Sequence, residues 1–180
     1  MPQIVRKLLE EKDTQLVCDD ETCALFLARE QEGGVTRDEN PENHMCVYFA
    51  PYDVVAKEVF IGMHIKARTW LFNGGHLDKD ETVDQALPRE MEEEWGMVIE
   101  TPSKPHLLTT TDINNPGVQT CRKHFDVWYF IPVQKETFSP NKELLAEEFT
   151  SIQWMSIEEA YNKVSDPATK QALDRITTLL

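Results

Sequence analysis

Gly75-His76-Leu77-Asp78-Lys79-Asp80-Glu81-Thr82-Val83-Asp84-Gln85-Ala86-Leu87-Pro88-Arg89-Glu90-Met91-Glu92-Glu93-Glu94-Trp95-Gly96-Met97 is the stretch whose reading decides the fold. Val83, Leu87, Met91 and Trp95 recur every fourth residue, the spacing of one buried helix face. Glu90, Glu93 and Glu94 fall three and four apart, so their carboxylates crowd a second edge of the same helix. Like charges at that spacing are mutually unfavourable, and a hard divalent cation relieves them because Mg2+ or Mn2+ favours oxygen ligands. An arbitrary glutamate run reads as a solvated acidic face. Here the flanks argue otherwise. Gly74-Gly75 follows the apolar Trp70-Leu71-Phe72, where a strand can end and the backbone can approach a ligand, and Gly96 stands where a helix C-cap belongs.

These residues match the pattern G-x5-E-x7-R-E-U-x-E-E-x-G-U at every specified position, U being a bulky apolar residue. The chain therefore resembles the Nudix hydrolases. The resemblance implies an α/β fold, an α/β/α sandwich around a mixed β-sheet. It implies metal ligands at Glu90, Glu93, Glu94 and the Gly74 carbonyl, and Mg2+, or Mn2+, as the cofactor. Arg89 is expected to orient a carboxylate and Glu81 to brace the loop against the helix. The reaction implied is water attack on phosphorus in the diphosphate bridge of a nucleoside diphosphate linked to a moiety X, with Glu93 and Glu94 among the catalytic groups. A further acid outside the box is expected, and Glu148 is the choice, with Asp112 and Glu147 as alternatives. Substrate identity stays open.

The chain departs from the family at three places. Asn73 stands where Pro is usual and Asp80 where Gly is usual, both read as changes of loop stiffness. Pro88 falls inside the expected helix, where it removes a bond to Asp84 at a cost of about 3 kcal/mol, so a kink or a late start near Leu87 is expected. Two rival readings are a non-catalytic binding module, which usually loses box carboxylates, and an isopentenyl-diphosphate isomerase, which needs a cysteine absent from Leu71-Phe72-Asn73-Gly74-Gly75-His76.

With 180 residues, 41% of them hydrophobic, the chain suits one domain with a substantial core. Residues 1–42 are read as a helical extension packed on the core and 43–180 as the hydrolase domain. No apolar run reaches membrane-spanning length and no signal-peptide segment opens the chain, which gives a cytoplasmic expectation. The net charge of −14 argues against a nucleic-acid polymer as partner and for a small nucleotide-type substrate admitted by bound metal; a homodimer is left open. Cys18, Cys23, Cys46 and Cys121 are expected as free thiols, and Cys121-x-x-His124, lacking a second pair, reads as structural.

Helices are expected over 3–11, 20–32, 157–164 and 167–179, with Asp166 capping the last. Strands are expected at Cys46–Ala50, Val59–His64, Leu107–Thr111, His124–Ile131 and Ile152–Met155. Alternation in the fourth places His124, Asp126 and Trp128 on one face, where His124 and Asp126 can satisfy each other, and Phe125, Val127 and Tyr129 on the other.

Overall fold

A computed structural model of the chain describes residues 16–102, 104–113 and 120–180. The helix expected over 3–11 lies outside these residues. Among the described residues seven strands form a single mixed sheet: β1 (Asn43–Asp53), β2 (Glu58–His64), β3 (Trp70–Leu71), β4 (Asn73–His76), β5 (Leu107–Asp112), β6 (Lys123–Pro132) and β7 (Phe149–Ser156). Its main path runs β3-β2-β1-β6-β5, with β4 paired to β1 and β7 to β2. The β1–β6 pair is parallel, with His44 opposite His124 and Cys46 opposite Asp126. The β1–β4 pair is antiparallel, setting Cys46 opposite His76 and Tyr48 opposite Gly74.

Among the described residues five helices cover the two faces: α1 (Asp20–Glu32), α2 (Val83–Trp95), α3 (Lys142–Glu148), α4 (Ile157–Lys163) and α5 (Pro167–Thr177). One core gathers Phe26 of α1, Val83, Leu87, Met91 and Trp95 of α2, Leu145 of α3, and Phe125, Val127 and Tyr129 of β6. The other gathers Trp128 and Phe130 of β6 with Ala160, Ala168, Ala172 and Leu173. The odd and even residues of β6 thus enter different cores, as the two-residue period of a strand dictates. The result is the α/β/α sandwich expected, with helical structure ahead of β1.

Local chemistry accounts for most boundaries. Asp19 caps α1 by accepting from the Thr22 N–H at 2.7 Å, and Asp166 caps α5 through Thr169 at 2.7 Å, with Pro167 in the first turn. Gly96 adopts the left-handed conformation at φ 65°, and its N–H closes α2 onto the Glu92 carbonyl. Asp80 also has positive φ, 64°, which explains why glycine is usual there and why aspartate, a residue that tolerates this region, replaces it.

Two expectations are corrected. Helix α2 does not start late: it begins at Val83, where Gln85 Oε1 accepts from the Thr82 N–H at 2.9 Å, and it includes Pro88. That N-terminal cap and the burial of Val83, Ala86 and Leu87 outweigh the one helical bond that Pro88 cannot donate to Asp84. Cys18 and Cys23 are not free thiols but form a disulfide with Cα atoms 5.8 Å apart, whereas Cys46 and Cys121 are free. The first turn of α1 carries Cys23 back beside Cys18, a proximity that no CxxC spacing announces.

Candidate active site

The site is assembled where β4 passes under α2. Gly75 has no room for a side chain: a Cβ there would stand 2.1 Å from the Glu90 carboxyl carbon. At Gly74 a Cβ would stand 2.4 Å from the Val47 carbonyl oxygen. The glycine pair therefore lets β4 lie against both β1 and the acidic edge of α2. Glu94 is held on the same strand, since Asn73 Nδ2 donates to Glu94 Oε2 and the Gly74 N–H also donates to its carboxylate. Asn73 is thus more than a change in loop stiffness; its amide fixes one of the box carboxylates.

Arg89 ties the remaining parts together. Its Nε and Nη2 grip both oxygens of Glu81 at 2.8 Å, Nη2 also reaches the His76 carbonyl at 2.9 Å, and Nη1 donates to Glu90 and Glu93, each at 2.9 Å. Glu81 in turn accepts from the Asp78 N–H at 2.9 Å. Hydrogen bonds from Arg89 hold the Glu81 carboxyl below its ordinary range, and Glu81 is the leading cause that raises the Arg89 guanidinium above its own. Two fork bonds, a carbonyl and two further carboxylates fix the loop, strand β4 and the helix edge in one geometry.

Glu148, at the end of α3, lines the same cleft as Glu90, Glu93 and Glu94, whose volume is about 560 Å3. It pairs with Lys66 Nζ at 3.2 Å and His64 Nε2 at 3.4 Å. His64 Nδ1 accepts the N–H groups of Lys66 and Ala67, so in the neutral ring Nε2 carries the hydrogen that faces Glu148. Burial lowers the His64 pKa, in keeping with the neutral ring. Asp112, an alternative fifth acid, points to Lys123 at 2.8 Å and does not line the cleft; neither does Glu147. The exposed cations Arg37 and Lys66 do line it. His64, Lys66 and Arg37 escaped sequence reasoning, because isolated basic residues far from the box carry no spacing signal.

The donor set suits a hard divalent cation. Burial raises the Glu94 carboxyl to about 8 and the Glu90 carboxyl to about 7, against an ordinary 4.5. For Glu94, Asn73 opposes that shift; for Glu90, Arg89 does. Both carboxylates lack enough positive charge of their own. Each binds its proton more tightly folded than unfolded, so the metal-free protein should lose stability as pH rises from about 4.5 to about 8. The increase in melting temperature caused by saturating Mg2+ should therefore be larger at pH 8 than at pH 5.5. A pH-independent increase, measured in chelator-stripped samples, would contradict this account of the site.

Comparison with known proteins identifies the family. The NUDIX domain matches residues 54–176, and the chain belongs to the NUDIX family, a family of pyrophosphohydrolases. Its fold resembles the dihydroneopterin triphosphate pyrophosphohydrolase of E. coli, with TM-score 0.60 and 15% identity over 76% of this chain and 96% of that one. A NUDIX-family hydrolase from Clostridium perfringens gives TM-score 0.57 and 20% identity over 76% and 98%. The Ap4A hydrolase of C. elegans gives 0.57 and 14% over 75% and 96%. No curated protein sequence matches the chain significantly. Among the described residues no helix is long and apolar enough to cross a membrane.

Proposed function

We propose that this chain is a Mg2+-dependent hydrolase of a phosphoanhydride bond in a nucleoside diphosphate linked to a second moiety. The observation that carries the reading is the acidic edge of α2 pressed onto the Gly74-Gly75 strand and locked there by Arg89. Glu90, Glu93, Glu94 and the Gly74 carbonyl would hold the metal. When bound, a divalent cation supplies polarisation of the phosphate oxygens and a lowered pKa for the attacking water. Arg89 orients Glu90 and Glu93, while Glu81 holds Arg89 through its two oxygens. Glu148, steadied by His64, takes the proton from the water as its oxygen attacks phosphorus, and the bridging P–O bond breaks to release the second phosphate. Residues 43–180 form the hydrolase domain and 1–42 its extension, a division supported by the start of β1 at Asn43.

Substrate phosphates need positive partners in a chain of net charge −14. Arg89 is already hydrogen-bonded to three carboxylates and Lys66 is paired with Glu148, which leaves Arg37 as the exposed cation of the cleft for a substrate phosphate. The deciding experiment is a Mg2+-dependent hydrolysis screen over nucleotide sugars, nucleoside triphosphates, dinucleoside polyphosphates, ADP-ribose and dihydroneopterin triphosphate. Ap4A and dihydroneopterin triphosphate enter it because the similar structures act on them. No turnover of any phosphoanhydride with Mg2+ or Mn2+ would overturn the reading and favour a binding module. On a substrate found this way, Arg37→Ala should raise KM about two- to fivefold with little change in kcat, in the range of one solvent-exposed charge contact. A fall in kcat alone would show that Arg37 does not serve binding.

A further inference from the structure

A second cluster of metal-ligating side chains includes three residues of the cleft lining, His76, Cys121 and His124. His44 at the start of β1, His76 at the end of β4, His124 near the start of β6 and Cys121 just before it each direct one ligand atom to the same point. These four atoms all lie within 4.8 Å of one another. Cys121 Sγ is 3.7 Å from His44 Nε2 and 3.9 Å from His76 Nε2. Sheet register creates the convergence: His44 stands opposite His124 on the parallel partner, and His76 opposite Cys46, two residues further along the same face of β1.

Hydrogen bonding within the protein does not satisfy this cluster. His44 Nδ1 lies 2.9 Å from the Asn40 carbonyl, which only accepts, so in the neutral ring the hydrogen is on Nδ1 and Nε2 offers a lone pair toward Cys121. The Cys121 thiol has a single hydrogen for the two imidazole nitrogens beside it. His124 is 7% exposed, and both of its ring nitrogens are buried without a partner among the described residues. His124 and Asp126 do not satisfy each other: Asp126 Oδ2 accepts from Thr109 and Thr111 at 3.1 and 2.6 Å, and its Oδ1 makes no hydrogen bond to the His124 ring.

We propose that His44, His76, His124 and Cys121 bind one Zn2+ in a tetrahedral site of three imidazoles and one thiolate. Zinc bonds to nitrogen and sulfur of about 2.0–2.3 Å imply ligand-to-ligand edges of about 3.3–3.6 Å, so small side-chain rotations close the present arrangement around the ion. Imidazole and thiolate without a carboxylate select zinc over Mg2+, and four protein ligands leave no position for water, the mark of a structural site. Binding releases the Cys121 thiol proton to solvent. Asp126 Oδ1, without a partner, is available to orient the ring of His124.

The ion would fasten three strands and the segment before β6 to one another. His76 is the link to catalysis, because its carbonyl accepts from Arg89. The site is distinct from the Mg2+ ligands in both residues and chemistry. Cys46, His124 and Asp126 form a second close group, but it shares His124, and Asp126 is already engaged by two threonines.

The test is metal analysis of the full chain, expressed with zinc and purified without chelator. Wild type should hold about one zinc per chain in excess Mg2+, Glu94→Gln should hold the same, and Cys121→Ser and His124→Gln should hold less than about a tenth. Exchange for Co2+ should give the visible bands of a tetrahedral ion and a thiolate-to-cobalt charge-transfer band that Cys121→Ser abolishes. If the variants fail to fold, the wild-type zinc content and cobalt spectrum decide the matter alone. A folded wild type without stoichiometric zinc, a cobalt form without the thiolate band, or retention of iron or copper instead would overturn the proposal. So would zinc that leaves with Glu94→Gln and stays with Cys121→Ser.

Discussion

Glu94→Gln should lower turnover at least about a hundredfold, the range seen when a preorganised electrostatic element is lost, while Glu92→Gln leaves it nearly unchanged. The two substitutions remove the same formal charge from one helix, and only position separates them. Glu94 is held by Asn73 and by the Gly74 N–H at the floor of the cleft, whereas Glu92 is exposed and does not line it. Glutamine keeps the size of the side chain and can still face Asn73, so the fold should survive. Loss of one ligand charge weakens metal capture and the activation of water together. Partial rescue by excess Mg2+ would assign the defect to affinity, and none would assign it to geometry. Equal activities for the two variants on a verified substrate would return the run Glu92-Glu93-Glu94 to a solvated acidic face.

The family pattern made the acidic edge legible because its chemistry is local: ligands three and four apart share a helix edge whatever surrounds them. The same holds for the caps at Gly96 and Asp166, each decided by one or two neighbours. Helix α3 was not legible, because Lys142–Glu148 is only seven residues and buries just Leu145, too short for a periodic signal. Strand β4 was also hidden, since Asn73-Gly74-Gly75-His76 has no strand propensity and pairs with β1 only because tertiary packing requires it. The histidine and cysteine cluster failed to show for a third reason. Cys121-x-x-His124 is half of the group, and the other half, His44 and His76, lies 77 and 45 residues from Cys121. Spacing rules find ligands on one turn or hairpin, whereas this group exists only through sheet register.

Gly75→Ala should reduce turnover at least about a hundredfold in a protein that still folds, and Gly74→Ala should do the reverse, harming stability first. The difference lies in what the added methyl group meets. At Gly75 the backbone is outside the left-handed region, so alanine is conformationally acceptable, and the nearest atoms are the Glu90 carboxyl group at 2.1–2.2 Å. That carboxyl can rotate away, but doing so breaks its bond to Arg89 and carries a proposed ligand off the metal position. A displacement of about 1 Å at a reacting centre costs roughly a hundredfold in rate. At Gly74 the methyl instead meets the Val47 carbonyl oxygen at 2.4 Å and Tyr48. Backbone cannot swing aside, so strands β1 and β4 must separate, an overpacking strain of about 1–3 kcal/mol. Thermal melts and steady-state kinetics on both variants separate the two effects. A further check is the double variant Gly75→Ala with Glu90→Ala, which should be no less active than Glu90→Ala alone, because the methyl then has no carboxylate to displace. Additive losses would show that Gly75 contributes by some route other than making room for Glu90.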